Sequence, residues 1–355
     1  MTPDPGRSIE INGRRIGPGH PPYVVAELSA NHNHDFEQAV ALVREAKACG
    51  ADAVKLQTYT ADTITIDSRE PWFLLPSSNT WGGQTLHELY RTAYTPWEWQ
   101  PRLKAVADDL GIDLFSTPFD PTAVDFLEDM RVPAYKIASF EIVDVPLIRR
   151  IAKTGKPIIM STGMATLTEI DEAVRVMRAE GIEQIALLKC TSAYPAPSES
   201  MNLRTIPHLA EAFDVPVGLS DHSIGNAVAL AAIALGACLV EKHFTLSRAI
   251  PGPDAAFSME PGELGDLVRG AALVHRALGG VSYTVTDAER GNLVFRRSLF
   301  VVADVEAGES FTEDNVRSIR PGHGIAPRHL PDVLGRRAAR AIRRGTPLTW
   351  DLVGG

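Results

Sequence analysis

One pattern recurs along the first 280 residues of this 355-residue chain: a short apolar run ending in polar residues, then a helix pattern. The stretch 217–244, VGLSDHSIGNAVALAAIALGACLVEKHF, shows it most fully. Residues 217–220 predict a buried strand, 225–235 an alanine-rich helix packed on a sheet, and 239–241 the start of the next strand. A unit this short closes as a parallel βαβ crossover. Similar apolar runs occupy 23–29, 53–58, 113–119, 134–139, 157–162 and 184–190. Helix patterns occupy 36–49, 121–130, 145–154, 167–180, 203–212 and 261–278. Eight βα units in succession predict a (β/α)8 TIM barrel. A doubly wound open sheet is the alternative, but no glycine-rich phosphate fingerprint accompanies it.

A barrel of about 250 residues leaves room for an appendage. The expected division is a barrel over 1–280, a linker over 281–297 and a small, mostly β module over 298–355. Arg296, Arg297, Arg317, Arg320, Arg328, Arg336, Arg337, Arg340, Arg343 and Arg344 make that last part locally basic. Residues 8–12 and Gly13 predict a hairpin plugging the bottom of the barrel. Asp35 can cap the first helix and Gly50 can end it. Residues 59–84 are too long for an ordinary connection and carry Trp72, Phe73 and Trp81, which suits a lid, with packing decoration as the alternative. The helix pattern from Thr85 is expected to run on to Trp99.

The net charge of −9 argues against nucleic acid or an anionic membrane as partner. Three cysteines, Cys49, Cys190 and Cys238, lack CxxC spacing and are expected reduced and buried. No run of about 18 apolar residues and no apolar signal segment is found, so a soluble cytoplasmic protein is expected.

Chemistry in such a barrel gathers at the carboxyl ends of the strands. Read in order, those ends carry Glu27, then Lys55 with Gln57, Ser116 with Thr117, and Lys136 with Ser139 and Glu141. Ser161 with Thr162, Lys189 with Ser192 and Tyr194, Ser220 with His222, and Glu241 with His243 follow. His222 and His243 end adjacent strands, so their imidazoles can converge on a divalent metal with open positions left. Lys55 and Lys136 are costly inside a barrel mouth unless paired, and with the surrounding hydroxyls they suit a phosphate or carboxylate. Glu27 and Glu141 can act as acid, base or sugar-hydroxyl ligands.

The strand-end stretches Glu27-Leu-Ser-Ala-Asn-His-Asn33, Lys55-Leu-Gln-Thr58, Phe115-Ser-Thr-Pro-Phe119, Tyr135-Lys-Ile-Ala-Ser-Phe-Glu141, Ser161-Thr-Gly-Met164, Lys189-Cys-Thr-Ser-Ala-Tyr-Pro195, Gly218-Leu-Ser-Asp-His222 and Glu241-Lys-His243 together resemble the sialic acid synthases. Arg320-Pro-Gly-His-Gly-Ile325 resembles the antifreeze-protein-like (SAF) domain those enzymes carry. Leu28-Ser29-Ala30, Trp81-Gly-Gly-Gln-Thr-Leu-His-Glu-Leu-Tyr90 and Thr95-Pro-Trp-Glu-Trp99 look closest to the pseudaminic branch of that family.

The resemblance implies condensation of phosphoenolpyruvate with an N-acylated amino sugar and water, giving a nine-carbon sugar acid and phosphate. In the pseudaminic branch the sugar is 2,4-diacetamido-2,4,6-trideoxy-L-altrose; N-acetylneuraminate or legionaminate synthesis is the runner-up. By the same resemblance, Lys55, Thr117, Lys136, Ser139, Ser161, Ser192 and Ser220 hold phosphoenolpyruvate. His222 and His243 bind Mn2+ or Mg2+, and Glu27 orders the attacking water or handles its proton. Gln57, Glu141, Tyr194, Asp254 and Arg320 contact the sugar, with Arg320 reaching the partner's barrel in a domain-swapped homodimer. Three positions depart from the family pattern. His34 stands where Gly is expected, Ser192 stands where the neuraminate branch has Asn, and the segment holding Asp254 begins with Pro251 rather than Gly. From a different class, a non-catalytic barrel whose basic tail binds anionic glycans is the remote alternative.

Overall fold

A computed structural model describes residues 7–76 and 81–355. The chain divides into two compact units, Met1–Gly280 and Val281–Gly355. Eight strands close the first unit into a parallel barrel: β1 Tyr23–Glu27, β2 Ala53–Thr58, β3 Asp113–Pro118, β4 Tyr135–Ile137, β5 Ile158–Ser161, β6 Ile185–Cys190, β7 Val217–Asp221 and β8 Leu239–His243. Closure joins β8 to β1 in a register running from Leu239 opposite Tyr23 to His243 opposite Glu27.

The strands alternate as the period of two requires. Tyr23 and Val25 pack with interior residues such as Phe115, Ile159 and Leu219. Val24 and Ala26 pack outward against Leu42, Val43 and Ala46 of the helix Phe36–Ala48. Each fully buried Val or Leu side chain among them stabilises the fold by about 1.5–3 kcal/mol. Asp35 caps that helix by accepting from the amides of Glu37 and Gln38, and Gly50 follows with a φ of +88°.

The hairpin is present as Ile9–Ile11 paired with Arg14–Ile16. Asn12 and Gly13 both take positive φ, as a two-residue hairpin turn needs. Ile9, Ile11 and Ile16 are buried against the barrel interior. The Glu10 amide donates to Gln184 Oε1 at 2.8 Å and Asn12 Nδ2 to Asp113 Oδ1 at 2.6 Å. Asp113 begins β3 and Gln184 precedes β6, so the hairpin plugs the amino end.

Two expectations need correction. The helix from Thr85 stops at Ala93; a turn Trp97–Trp99 intervenes before the helix Gln100–Leu110. Pro96 has no N–H to continue the ladder and biases Thr95 towards extended backbone. The fourth strand ends at Ile137, and Ser139–Val143 forms a 3-10 turn. Ser139 and Glu141 therefore ride above the strand rather than on it.

The excursion 59–84 holds a short helix Ala61–Ile64, a turn Pro71–Phe73 and a bridge between Leu74 and Thr85. Residues 77–80 of it lie outside the described residues, as do 1–6 of the opening segment. Trp72 points to solvent at 82% exposure, whereas Trp81 turns inward and donates its indole N–H to Pro253 O at 2.9 Å.

The second unit pairs Ser298–Val301 with Val316–Ile319 around a core of Leu299, Val301, Phe311, Val316 and Leu348. Within this unit, a helix turn Asp287–Arg290 and a 3-10 turn Gly291–Phe295 precede the first strand. Gly324 is required by packing, because a Cβ there would lie 2.2 Å from Leu299 O. No described helix is long and apolar enough to cross a membrane.

Candidate active site

The carboxyl ends of the strands build one connected polar site. Glu27, the last residue of β1, and Lys55 of β2 face each other in register. Lys55 Nζ lies 2.5 Å from Glu27 Oε2 and 3.5 Å from Glu241 Oε1, and donates to Thr117 Oγ1 at 3.2 Å. Gln57, two residues on along β2, donates to Glu27 Oε1 and to Ser29 Oγ, both at 3.2 Å. The Ser29 amide closes the turn onto Glu27 Oε1 at 3.0 Å, and the Ser29 hydroxyl is hydrogen-bonded to Asp254. Asp254 Oδ2 lies 3.8 Å from His243 Nδ1. Carboxylates from β1, β8 and the loop after β8 thus surround one ammonium and one imidazole.

Burial and charge compete at each of these groups. Burial pushes the Glu27 carboxyl up, and the Lys55 ammonium only partly brings it back. Burial alone would lower the Lys55 ammonium, but Glu241 and Glu27 outweigh it and hold the group above its ordinary range. Lys136 goes the other way: burial lowers it beyond what Glu241 restores, with Lys55 adding repulsion. Its Nζ donates to Ser161 Oγ at 2.7 Å and Ile137 O at 2.8 Å. Asp254 is pushed up by burial despite the Ser29 hydroxyl. Glu141, in the turn after β4, is pushed up to about 7 by burial, and its Oε2 has no hydrogen-bond partner.

Hydroxyls line the opposite wall. Ser139 Oγ accepts from the Gly163 amide at 3.0 Å. A Cβ on Gly163 would fall 2.3 Å from Ser192 Oγ and 2.7 Å from Ser139 Oγ, so only glycine lets both hydroxyls gather there. Ser220 is buried near the end of β7, across from Cys190 on β6 and Glu241 on β8.

The rings of His222 and His243 have centroids 5.4 Å apart. His222 Nδ1 is 3.0 Å from Thr191 O, which assigns the proton to Nδ1 and leaves the Nε2 lone pair available. The His243 ring is held neutral mainly by burial and also by the neighbouring His222, and its Nδ1 is buried without a hydrogen-bond partner. Among the described residues, no three His, Cys, Asp or Glu side chains form a metal-holding group. A donor set of two imidazoles, one with an orphaned nitrogen, fits an ion whose other positions are filled by water or substrate oxygen. Tyr194 packs against His222 at 4.3 Å and Phe257 against His243 at 5.0 Å, with Trp81 5.4 Å from Tyr194.

A NeuB family model matches residues 42–283, and a SAF domain model matches residues 296–354. The chain belongs to the NeuB family. It is 42% identical to a pseudaminic acid synthase of Helicobacter pylori over 93% of this chain and 97% of that protein. It is 35% identical to the N,N'-diacetyllegionaminic acid synthase of Legionella pneumophila over 98% of this chain and 99% of that one. Among solved structures, the N-acetylneuraminic acid synthetase of Leptospira borgpetersenii in complex with citrate aligns with a TM-score of 0.73 at 30% identity. That alignment covers 81% of this chain and 95% of the Leptospira chain. The chain is thus a sialic-acid-synthase-like enzyme of the NeuB family, with a parallel barrel and a SAF domain.

Of the residues singled out from this NeuB-family sequence, the barrel gathers Glu27, Lys55, Gln57, Thr117, Asp254, His222, His243 and Tyr194 into one continuous set of contacts. Lys136 with Ser161, and Ser139 with Ser192 around Gly163, line the wall beside it. Arg320 is exposed on the second unit. Three contributors were given no role from the sequence. Ser29 links Asp254 to the β1 turn. Glu241, at a strand end already in view, pairs with Lys55 across the mouth. Cys190 is buried as expected, yet its Sγ lies 3.9 Å from His222 Nδ1. Burial pushes that thiol up, but the His222 ring, Ser139 and Ser192 outweigh this and bring it down to about 7. Its place as the last residue of β6 was the available signal.

The expected Gly at position 34 has a physical counterpart. His34 takes a φ of +55°, in the left-handed region that glycine enters freely. Its amide donates to His32 Nδ1 at 3.1 Å and its ring packs on Tyr94 at 5.0 Å, contacts that hold the conformation.

Proposed function

We propose that this protein is a pseudaminic acid synthase. It condenses phosphoenolpyruvate with 2,4-diacetamido-2,4,6-trideoxy-L-altrose and water to give pseudaminic acid and phosphate. The observation that carries the reading is the meeting of Glu27, Lys55 and Glu241 beside two imidazoles, in a chain 42% identical to a pseudaminic acid synthase over 93% of its length. Lys55, Thr117, Lys136, Ser139, Ser161, Ser192 and Ser220 bind the phosphate and carboxylate of phosphoenolpyruvate; the two ammonium groups and the hydroxyls supply charge-assisted hydrogen bonds. Gln57, Glu141, Tyr194 and Asp254 position the sugar. Arg320 of a second copy completes the sugar site in a domain-swapped homodimer, and the enzyme works in the cytoplasm.

His222 and His243 would hold a divalent ion, Mn2+ or Mg2+, which would supply a Lewis acid for the sugar aldehyde and for water. The chain's own residues handle the rest. The C3 carbon of phosphoenolpyruvate forms a bond to the open-chain aldehyde carbon, and positive charge develops at C2. The lysine and hydroxyl cradle holds the phosphate and carboxylate on either side of that centre. Water adds at C2, and Glu27, whose carboxyl is raised by burial, takes its proton. Glu27 passes that proton to the aldehyde oxygen, left as an alkoxide when the C–C bond formed, and the C2 hydroxyl of the adduct collapses to the ketone, giving its proton to the phosphate that leaves by C–O cleavage.

The test is phosphate release from phosphoenolpyruvate with the altrose compound, the legionaminate precursor and N-acetylmannosamine, each with and without chelator. Chelator-sensitive turnover of the altrose compound alone is expected. Preference for another sugar reassigns the substrate within the family. No turnover with any sugar at any divalent metal would return the non-catalytic glycan-binding barrel to consideration.

A further inference from the structure

Behind the barrel wall, on the face away from the site, lies a buried ion pair that the proposed chemistry does not use. Lys242 sits between Glu241 and His243 on β8, and strand alternation turns its side chain to the opposite face from theirs. It is in register with Asp221, the last residue of β7. Its Nζ donates to Asp221 Oδ2 at 2.8 Å, Ser223 O at 2.8 Å and Gly225 O at 3.0 Å, which engages all three N–H groups. Asp221 Oδ1 accepts from the Ser223 amide at 2.9 Å. The two side chains are 2% and 0% exposed.

The loop 221–225 is therefore wound around one ammonium, and His222 stands on that loop. The His222 carbonyl in turn accepts from the Ala196 amide at 3.0 Å, two residues beyond Tyr194. A buried ion pair is poor evidence for stability, since apolar residues of similar volume often do as well, but such a pair can fix one arrangement of the backbone. Here the arrangement it fixes is the separation of two imidazoles on adjacent strands.

We propose that Lys242 and Asp221 are positioning residues for the two imidazoles. The ammonium ties the loop carrying His222 to the strand carrying His243, so that both rings present their nitrogens to one divalent ion. This rests on the reading that His222 and His243 hold such an ion. Groups that orient metal ligands from behind typically change affinity by about 10–100-fold when removed.

The test is Mn2+ titration of the full chain, with free Mn2+ followed by electron paramagnetic resonance, at a temperature well below each variant's melting point. The variants are Lys242→Met, Asp221→Asn and the double Asp221→Asn/Lys242→Met. Mn2+ affinity should fall about 10–100-fold in Lys242→Met and stay weakened in the double variant, which buries no unpaired charge. In turnover, the Mn2+ requirement should rise while kcat at saturating Mn2+ recovers, a split that a merely destabilised fold does not produce. If Lys242→Met does not fold, the double variant and Asp221→Asn decide. Wild-type Mn2+ affinity in the folded double variant would overturn the inference alone. Absence of Mn2+ binding by the unmodified chain would overturn it together with the metal reading.

Discussion

The two ends of the barrel are built from the same eight strands yet treat their polar groups in opposite ways. At the amino end, Tyr23 is hydrogen-bonded to Asp113, Arg14 is paired with Asp52, and Asn12 donates to Asp113. At the carboxyl end, Glu27 Oε2, Glu241 Oε2, Glu141 Oε2 and His243 Nδ1 are buried without an aligned hydrogen bond, although Lys55 stands beside Glu27. Asn31, Asp120, Ser223 and Asn226 contribute further such atoms. All of them lie at strand carboxyl ends or in the loops just beyond. Each unpartnered buried group costs about 1–3 kcal/mol. These groups gather at the end of the barrel that carries the candidate site.

Substitutions at the two ends should separate activity from stability, and the largest effect belongs to the carboxyl end. Glu27→Gln should lower kcat by about 10²–10⁴-fold in a protein that is less stable but stays folded, because Lys55 loses its 2.5 Å partner and keeps Glu241. Single-turnover phosphate release and thermal denaturation would check both halves; an unchanged kcat would remove Glu27 from the proton chemistry. His243→Ala should lower Mn2+ affinity by more than about tenfold, read by titration calorimetry on the folded protein.

Tyr23→Phe should move stability alone. It removes a hydrogen bond to a carboxylate at the closed end, so stability should fall by about 1.5–3 kcal/mol in denaturant unfolding with kcat unchanged. A fall in kcat without a fall in stability would break the comparison. The smallest effect is a pH dependence at Glu141. Its carboxyl is raised in the fold from 4.5 to about 7, so the native state keeps a proton that the unfolded chain has lost across that window. Its contribution to stability therefore falls as pH rises from 4.5 to about 7 and stays lost above. Glu141→Gln should gain stability over the unmodified protein at pH 7.5 and lose that gain near pH 4.5, measured by urea midpoints.

Much of the architecture was legible in the residues. Alternating apolar runs and helix patterns are local signals, and Asp35, Gly50 and the Asn12–Gly13 turn punctuate them through local backbone chemistry. The polar strand ends were legible too, since a period of two places Lys55 and Gln57 on one face whatever lies opposite. The breaks at Thr95–Pro96 and after Ile137 were harder to read, because a helix or strand pattern does not report where tertiary contacts take over. Thr95 is buried with its hydroxyl 3.1 Å from His32 Nε2, a partner 63 residues away in the chain.

The order of residues along each strand dictates which groups reach the carboxyl edge: two histidines, two lysines and the carboxylates, at the ends of their strands. Which of them touch was decided only by closure. Glu27 meets His243 because β1 pairs with β8, and Ser29 meets Asp254 across 225 residues. Glu241 reaches Lys55 across the mouth, and Trp81 reaches Pro253 from the long excursion. The physical reason is that strand periodicity is a property of neighbouring residues. The pairing of the first strand with the last, by contrast, is a property of the whole ring, and no local window of sequence contains it.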